Sequence, residues 1–278
     1  MPELPEVETV RRGVEPHVIG RTITAVHVRD ARLRWPVPPH FASFASGQRI
    51  ESVSRRGKYL LFHLARGPGA LTGDRIIVHL GMTGRLYVLD RETALLKHDH
   101  VDIDLSDGTR LRYNDARRFG AVLPWPASEP GHVLIDQLGP EPFSPEFSGE
   151  HLFEQSRGRR APLKNFIMDG HIVVGAGNIY AAEALFRAGL RPTRRAGRVS
   201  RVEYTRLAQT IREVLGEAIV QGGTTLRDFA GARGEAGYFQ QDLNVYGREG
   251  QPCRVCGTII KGIRLGNRAS CWCPCCQR

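Results

Sequence analysis

Cys253-Arg-Val-Cys256 and, after sixteen intervening residues, Cys273-Pro-Cys-Cys276 are the stretch on which the reading of this chain turns. Two short-spaced cysteine pairs at that separation match a zinc ribbon. Each pair forms a knuckle that aims two thiolates at one tetrahedral Zn2+, and the span between them lets a β-hairpin return to the same point. One structural zinc can organise a segment too small to build its own core. The same four residues could form two disulfides. That reading is disfavoured because no signal peptide is recognisable and the first 252 residues hold no cysteine. Cys271 and Cys275 are left over.

Charge extends the reading outward. The 278 residues carry 39 Lys+Arg against 29 Asp+Glu, a net charge of +10. Residues 246–278 hold six basic side chains against Glu249 alone, and residues 191–206 hold six arginines against Glu203 alone. A basic ribbon beside a basic helical stretch points to a polyanion, most often nucleic acid. Solubilising surface charge is the plain alternative. No apolar run is long enough to span a membrane.

Leu4-Pro-Glu-Val-Glu-Thr-Val10 opens a helix, with Pro5 in the first turn, where a missing N–H costs nothing. Val7, Val10 and Val14 form its apolar stripe and Gly20 ends it. The period then falls to two. Strands are expected at 22–28, 49–53, 59–64, 75–80, 85–89, 101–105 and 109–113, the last two joined by Ser106-Asp107-Gly108. Together these predict an α+β, two-domain protein: an N-terminal β-sandwich domain with an N-terminal helix (1–125), then a proline-rich linker (126–148). Helical periodicity returns near 149–156, 162–168, 178–189 and 200–221, giving a helical domain over 149–222. A glycine-rich loop (223–245) and the C-terminal zinc ribbon, a zinc-finger β-hairpin (246–278), complete the chain.

Gly175-Ala-Gly-Asn-Ile-Tyr180 looks like a dinucleotide fingerprint but has Tyr180 where the third glycine belongs, and no βαβ series surrounds it. It reads better as a close backbone approach ahead of a helix whose first N–H groups bind phosphate, as in a helix-two-turn-helix unit gripping DNA. A tight helix–helix turn with Asn178 as N-cap is the structural alternative.

These motifs, with Met1-Pro-Glu-Leu-Pro-Glu-Val-Glu-Thr9, His79-Leu-Gly-Met-Thr-Gly84 and Asn114-Asp-Ala-Arg-Arg-Phe-Gly120, resemble the bacterial formamidopyrimidine-DNA glycosylase family, in its order and across the whole chain. The resemblance implies base-excision DNA repair by a bifunctional glycosylase and abasic-site lyase, acting on double-stranded DNA that contains 8-oxoguanine or ring-opened purines and finishing by β,δ-elimination. Pro2, exposed as an α-amine by removal of Met1, would be the nucleophile. Its class of amine has a pKa near 7.7–8.0, so roughly a tenth is neutral at pH 7. Glu3 would act as acid and base on the opening sugar, and Glu6 would handle a proton or water. By the same resemblance Lys58 reaches the phosphate flanking the lesion, and Arg268 clamps phosphates from the ribbon tip. Met82, Arg117 and Phe119 fill the gap left by the everted base, while Lys164 and Asn178 bind phosphate. The zinc ligands become Cys253, Cys256, Cys273 and Cys276, with Cys271 standing where the family usually has an aromatic residue. Residues 223–245 become a lesion-recognition loop.

The sister family resembling endonuclease VIII, which removes oxidised pyrimidines, is the nearest rival. Leu4-Pro5 and the Met82/Arg117/Phe119 set favour the purine branch. A noncatalytic DNA-binding protein is the rival from another class. A zinc hydrolase is disfavoured because four thiolates leave the metal no open position. The protein is expected to be a cytoplasmic monomer with no membrane partner.

Overall fold

A computed structural model describes residues 2–222 and 243–278. Most of the loop expected over 223–245 lies outside the described residues. The chain divides into two compact units, one running to Asp136 and the other from Gln137 to Gln221 and on through the C-terminal segment.

The first unit begins with α1 (Leu4–Val18), then β1 (Ile23–Val28), α2 (Phe41–Ala45), β2 (Arg49–Arg56), β3 (Tyr59–Ala65), β4 (Leu71–His79), β5 (Arg85–Asp90), β6 (Asp99–Leu105), β7 (Thr109–Asn114), β8 (Ala121–Trp125) and α3 (Val133–Asp136). Two antiparallel four-stranded sheets form, ordered β1-β6-β7-β5 and β2-β3-β4-β8. Their inner faces share one core: Ile23, Val101, Ile103 and Leu111 from one sheet, Ile50, Leu60, Phe62, Ile76 and Val78 from the other. The apolar stripe of α1, Val7, Val10, Val14 and Val18, joins that core.

Seven strands were expected and eight are present among the described residues of this unit. The additional β8 contains Pro124 and precedes Pro126, so its sequence reads as a break. It lies at a sheet edge, where a residue lacking an N–H is tolerated. Strand β6 alternates as expected, but its polar face does not meet water. Asp102 and Asp104 are buried beneath arginines. Asp102 pairs with Arg29 (2.8 Å), Arg110 (3.1 Å) and Arg112 (2.9 Å), and Asp104 with Arg110 (2.6 Å) and Arg91 (3.1 Å).

The second unit holds α4 (Gly149–Ser156), α5 (Leu163–Ile167), α6 (Asn178–Arg187), α7 (Arg201–Val220) and the hairpin β9 (Lys261–Leu265) and β10 (Arg268–Trp272). Ser200 and Glu203 start α7 with a reciprocal capping box. The hairpin packs on α6 through a cluster that includes Ala182, Phe186, Ile260 and Cys271. Among the described residues no helix is long and apolar enough to cross a membrane.

Candidate DNA-repair site

The first turn of α1 gathers the N-terminal carboxylates. Glu3 is the N-cap and Glu6 the third helical residue, and each side chain accepts a hydrogen bond from the other's backbone N–H; the Glu3 N–H lies 2.8 Å from Glu6 Oε2. Pro2 precedes this box and is buried, as are Glu3 and Glu6. The helix therefore fixes both carboxylates within one turn of Pro2.

Lys58 sits in the two-residue turn between β2 and β3, where Arg56 pairs with Tyr59. It is half-buried. Its charge is felt by His79, whose pKa is held down to about 4 by burial, Lys58 and Arg34, against an opposing pull from Asp115. His79 is consequently a neutral ring, and its Nδ1 accepts the Gly81 N–H at 3.1 Å. The Tyr59 ring lies 4.7 Å from it.

Met82 lies in the β4–β5 loop, and Arg117 and Phe119 in the β7–β8 loop. The Arg117 guanidinium stacks 4.6 Å from the Phe119 ring centre, and Phe119 is 42% exposed. Between them Arg118 adopts φ 57° and pairs with Asp30 at 2.7 Å. The pair presents an apolar ring and a positive charge side by side on the surface. The fully buried Asp115, which sequence reasoning passed over inside its own motif, connects the two loops: its carboxylate accepts from Thr83 Oγ1 (2.6 Å) and from the Gly120 N–H (2.9 Å). A lone acid between polar Asn114 and a short loop was the available signal.

In the second unit Gly177 is the N-cap of α6 and Asn178 its first helical residue, so Asn178 is not the cap. Lys164, on α5, is almost fully buried. Its ammonium donates to Asn178 Oδ1 (2.7 Å), Ser270 Oγ (2.9 Å) and the Ala269 carbonyl (3.1 Å). It thereby joins α5, α6 and β10. Arg268 is exposed at the start of β10, beyond a two-residue turn of Gly266 and Asn267, both at positive φ.

Below that hairpin the sulfurs of Cys253, Cys256, Cys273 and Cys276 all lie within 4.8 Å of one another. Individual separations are 3.4 Å (Cys256–Cys273), 3.5 Å (Cys256–Cys276) and 4.0 Å (Cys253–Cys276). A tetrahedral ion with Zn–S bonds of about 2.3 Å needs sulfurs about 3.8 Å apart. Backbone N–H groups of Val255 and Cys276 point at the sulfurs of Cys253 and Cys273, each at 3.4 Å, as thiolate-stabilising knuckles require. The four residues fit a structural zinc. Cys271 is outside the cluster and is buried in the apolar contact with α6; Cys275 is exposed.

A β-sandwich with an acidic N-terminal helix start, a helical unit whose α6 begins at Gly177-Asn178 and a four-cysteine ribbon fit the class of zinc-ribbon, helix-two-turn-helix DNA-binding proteins. Family models place it further. Residues 1–122 match the formamidopyrimidine-DNA glycosylase N-terminal domain, 138–230 the H2TH domain of the same enzymes and 250–278 the zinc finger found in FPG and IleRS. The chain is 55% identical, over 100% of both sequences, to formamidopyrimidine-DNA glycosylases of Stenotrophomonas maltophilia (strain K279a) and Pseudomonas putida (strain GB-1). The MutM (FPG) protein from Thermus thermophilus superposes with a TM-score of 0.87 at 38% identity, covering 99% of this chain and 98% of that one. A Lactococcus lactis FPG mutant in complex with a Fapy-dG containing DNA gives 0.90 at 31% identity, covering 100% of each. A complex of that organism's Fpg with abasic-site DNA gives 0.89 at 31%, covering 99% of each. The chain belongs to the formamidopyrimidine-DNA glycosylase family.

Proposed function

We infer that the protein is a bifunctional DNA glycosylase and abasic-site lyase acting on oxidised purines in duplex DNA. The full-length similarity to chains crystallised on Fapy-dG and abasic DNA carries this reading. Once Met1 is removed, the Pro2 nitrogen attacks C1′ of the damaged nucleotide and the bond to the base breaks, with the electron pair leaving on the base. Opening of the sugar gives an iminium. That cation acidifies the 2′ proton, whose loss expels the 3′ phosphate; a second elimination expels the 5′ phosphate. Glu3, fixed at the helix start, protonates the ring oxygen as it opens. Glu6, one turn on, moves the next proton or water.

Lys58 and Arg268 neutralise the phosphates around the everted nucleotide. Met82 and Phe119 occupy the space the base leaves, and Arg117 bonds the orphaned opposite base. Asn178 and the N–H groups of α6 hold a phosphate. The Lys164 ammonium donates to Asn178, Ala269 and Ser270, so its charge serves that phosphate from behind Asn178. Zinc supplies no chemistry; its four ligands hold the ribbon that presents Arg268. Residues 223–245 form the lesion-recognition loop. Acting on chromosomal duplex, the protein works in the cytoplasm as a monomer.

Borohydride trapping on a duplex containing 8-oxoguanine opposite cytosine tests the reading. The adduct is expected on the N-terminal peptide, through Pro2. An adduct mapping to Lys58 would refute the assignment of the nucleophile, and trapping only on an oxidised-pyrimidine duplex would move the protein to the endonuclease VIII branch.

A further inference from the structure

Met82 and Phe119 belong to different loops, separated in sequence by strands β5 to β7, yet they must act at one gap. Asp115 is the group that joins their loops. Its Oδ1 accepts from Thr83 Oγ1 at 2.6 Å and from the Arg117 N–H at 3.2 Å. Its Oδ2 accepts from the Gly120 N–H at 2.9 Å and lies 3.2 Å from the Tyr113 hydroxyl. That hydroxyl is also 3.0 Å from the His79 carbonyl, so its single proton serves one acceptor or the other. These partners flank the gap-filling residues or anchor their loops: Thr83 follows Met82, Gly120 follows Phe119, and His79 ends β4 just before the Met82 loop.

The main chain at Asp115 is held as well. Its N–H donates to the His98 carbonyl (3.1 Å), and its carbonyl lies 2.8 Å from His100 Nε2. The loops also touch directly. Gly81, at φ 59°, lies against the Phe119 carbonyl carbon, and Gly120 lies against the Tyr113 hydroxyl, leaving no room for a Cβ at either position. A fully buried carboxylate is costly unless its acceptor sites are filled, and here they are filled by donors from both loops. The arrangement has two features that packing alone would not supply: a shared acid, and hydrogen bonds drawn from both sides of it.

We propose that Asp115 is a positioning residue for base eversion: it locks the Met82 loop to the Arg117–Phe119 loop so that the two apolar side chains enter the helix as one wedge. This rests on the gap-filling reading above. It implies that Asp115 matters for gaining the lesion and little once the base is gone, because an abasic site no longer carries the cost of unstacking.

The test uses Asp115→Asn and Thr83→Val in the full-length protein, with Met82→Ala/Phe119→Ala as reference. Asparagine keeps the size but turns one acceptor into a donor facing Gly120 N–H. Thr83→Val removes a single half-buried hydroxyl and guards against a folding failure in the first variant. Two quantities are read. Hydrogen exchange reports the amides of 80–84 and 116–120; single-turnover rates compare 8-oxoguanine excision with cleavage at a preformed abasic site. Misplacing a catalytic arrangement by about 1 Å costs roughly a hundredfold. Asp115→Asn is therefore expected to slow excision by about ten- to a hundredfold and abasic cleavage by less than about threefold, with faster exchange in both loops; Thr83→Val does the same to a smaller degree. Unchanged exchange in 80–84 for both variants would overturn the lock. Faster exchange with equal losses on the two substrates, while the reference variant still separates them, would overturn the positioning role. If the reference variant fails to separate them, the gap-filling reading falls and the proposal with it.

Discussion

The sandwich and the ribbon hold the residues proposed to face DNA by opposite means. In the sandwich, loops stand on a core to which α1 and both sheets contribute, and a buried carboxylate fixes their tips. The ribbon has no comparable core. Cys253, Ile260, Cys271 and Cys273 are its buried hydrophobic residues, and its order comes from four sulfurs and from Lys164 reaching across from α5. One region stores its stability in many small contacts and the other in a few strong ones. Damage should therefore spread differently through each.

Metal removal is the severest way to expose the contrast. Zinc binding to such sites is worth on the order of 10 kcal/mol, so chelation or Cys253→Ser should unfold 250–278 and leave sandwich exchange protection intact. Lesion binding should fall roughly a thousandfold or more, towards nonspecific affinity. Protection lost across β2–β4 as well would break the contrast. In the other direction, Phe62→Ala should cost the sandwich about 3–5 kcal/mol, measured by denaturant melting, with zinc content unchanged by metal analysis.

Lys164 and Arg268 sharpen the comparison within the second unit. Arg268→Ala should lower the salt slope of DNA binding by about 0.9 while leaving the fold alone. Lys164→Met strands Asn178 Oδ1, Ala269 O and Ser270 Oγ. A cost of about 1–3 kcal/mol is expected, seen as faster exchange in β10, with a smaller change in slope. A full change of about 0.9 for Lys164 would make it a direct phosphate ligand.

The gentlest probe is pH. His79 is neutral in the fold down to about 4, against 6.5 when unfolded. Between those values the unfolded chain binds more protons, so the sandwich should lose stability as pH falls from 6.5 through 4. Glu203 behaves likewise in a lower window. Burial works to raise its pKa, but hydrogen bonds from Arg194 (2.5 Å) and Ser200 outweigh that and bring it to about 2, from 4.5. The helical unit should weaken from 4.5 downward, by less than about 1 kcal/mol for so exposed a pair. His79→Gln and Glu203→Gln should each flatten one window alone, as followed by exchange in each unit.

Much of this was legible in the sequence because it is local. Strand alternation, the proline in the first turn and the cysteine spacing are each set within a few residues. The pairing of β1 with β6 or β4 with β8 is not, since it depends on which faces meet. Pro124 hid β8 for a local reason that its edge position cancels. The motifs singled out the residues proposed for the site but not what connects them. Asp115 read as one more polar residue, and nothing near Lys164 announced that Ala269 and Ser270, 105 and 106 positions later, would take its donors.

The aspartate ladder on β6 has a thermal consequence. Hydration of charged groups becomes less favourable on heating, so the penalty for burying Asp102 and Asp104 beside Arg29, Arg91, Arg110 and Arg112 shrinks as temperature rises. The opposite face of the same strand, carrying Val101, Ile103 and Leu105, follows apolar burial, which weakens on cooling. One strand thus couples two responses to temperature, and the arginine-covered face should be the last part of its sheet to loosen as the protein is warmed.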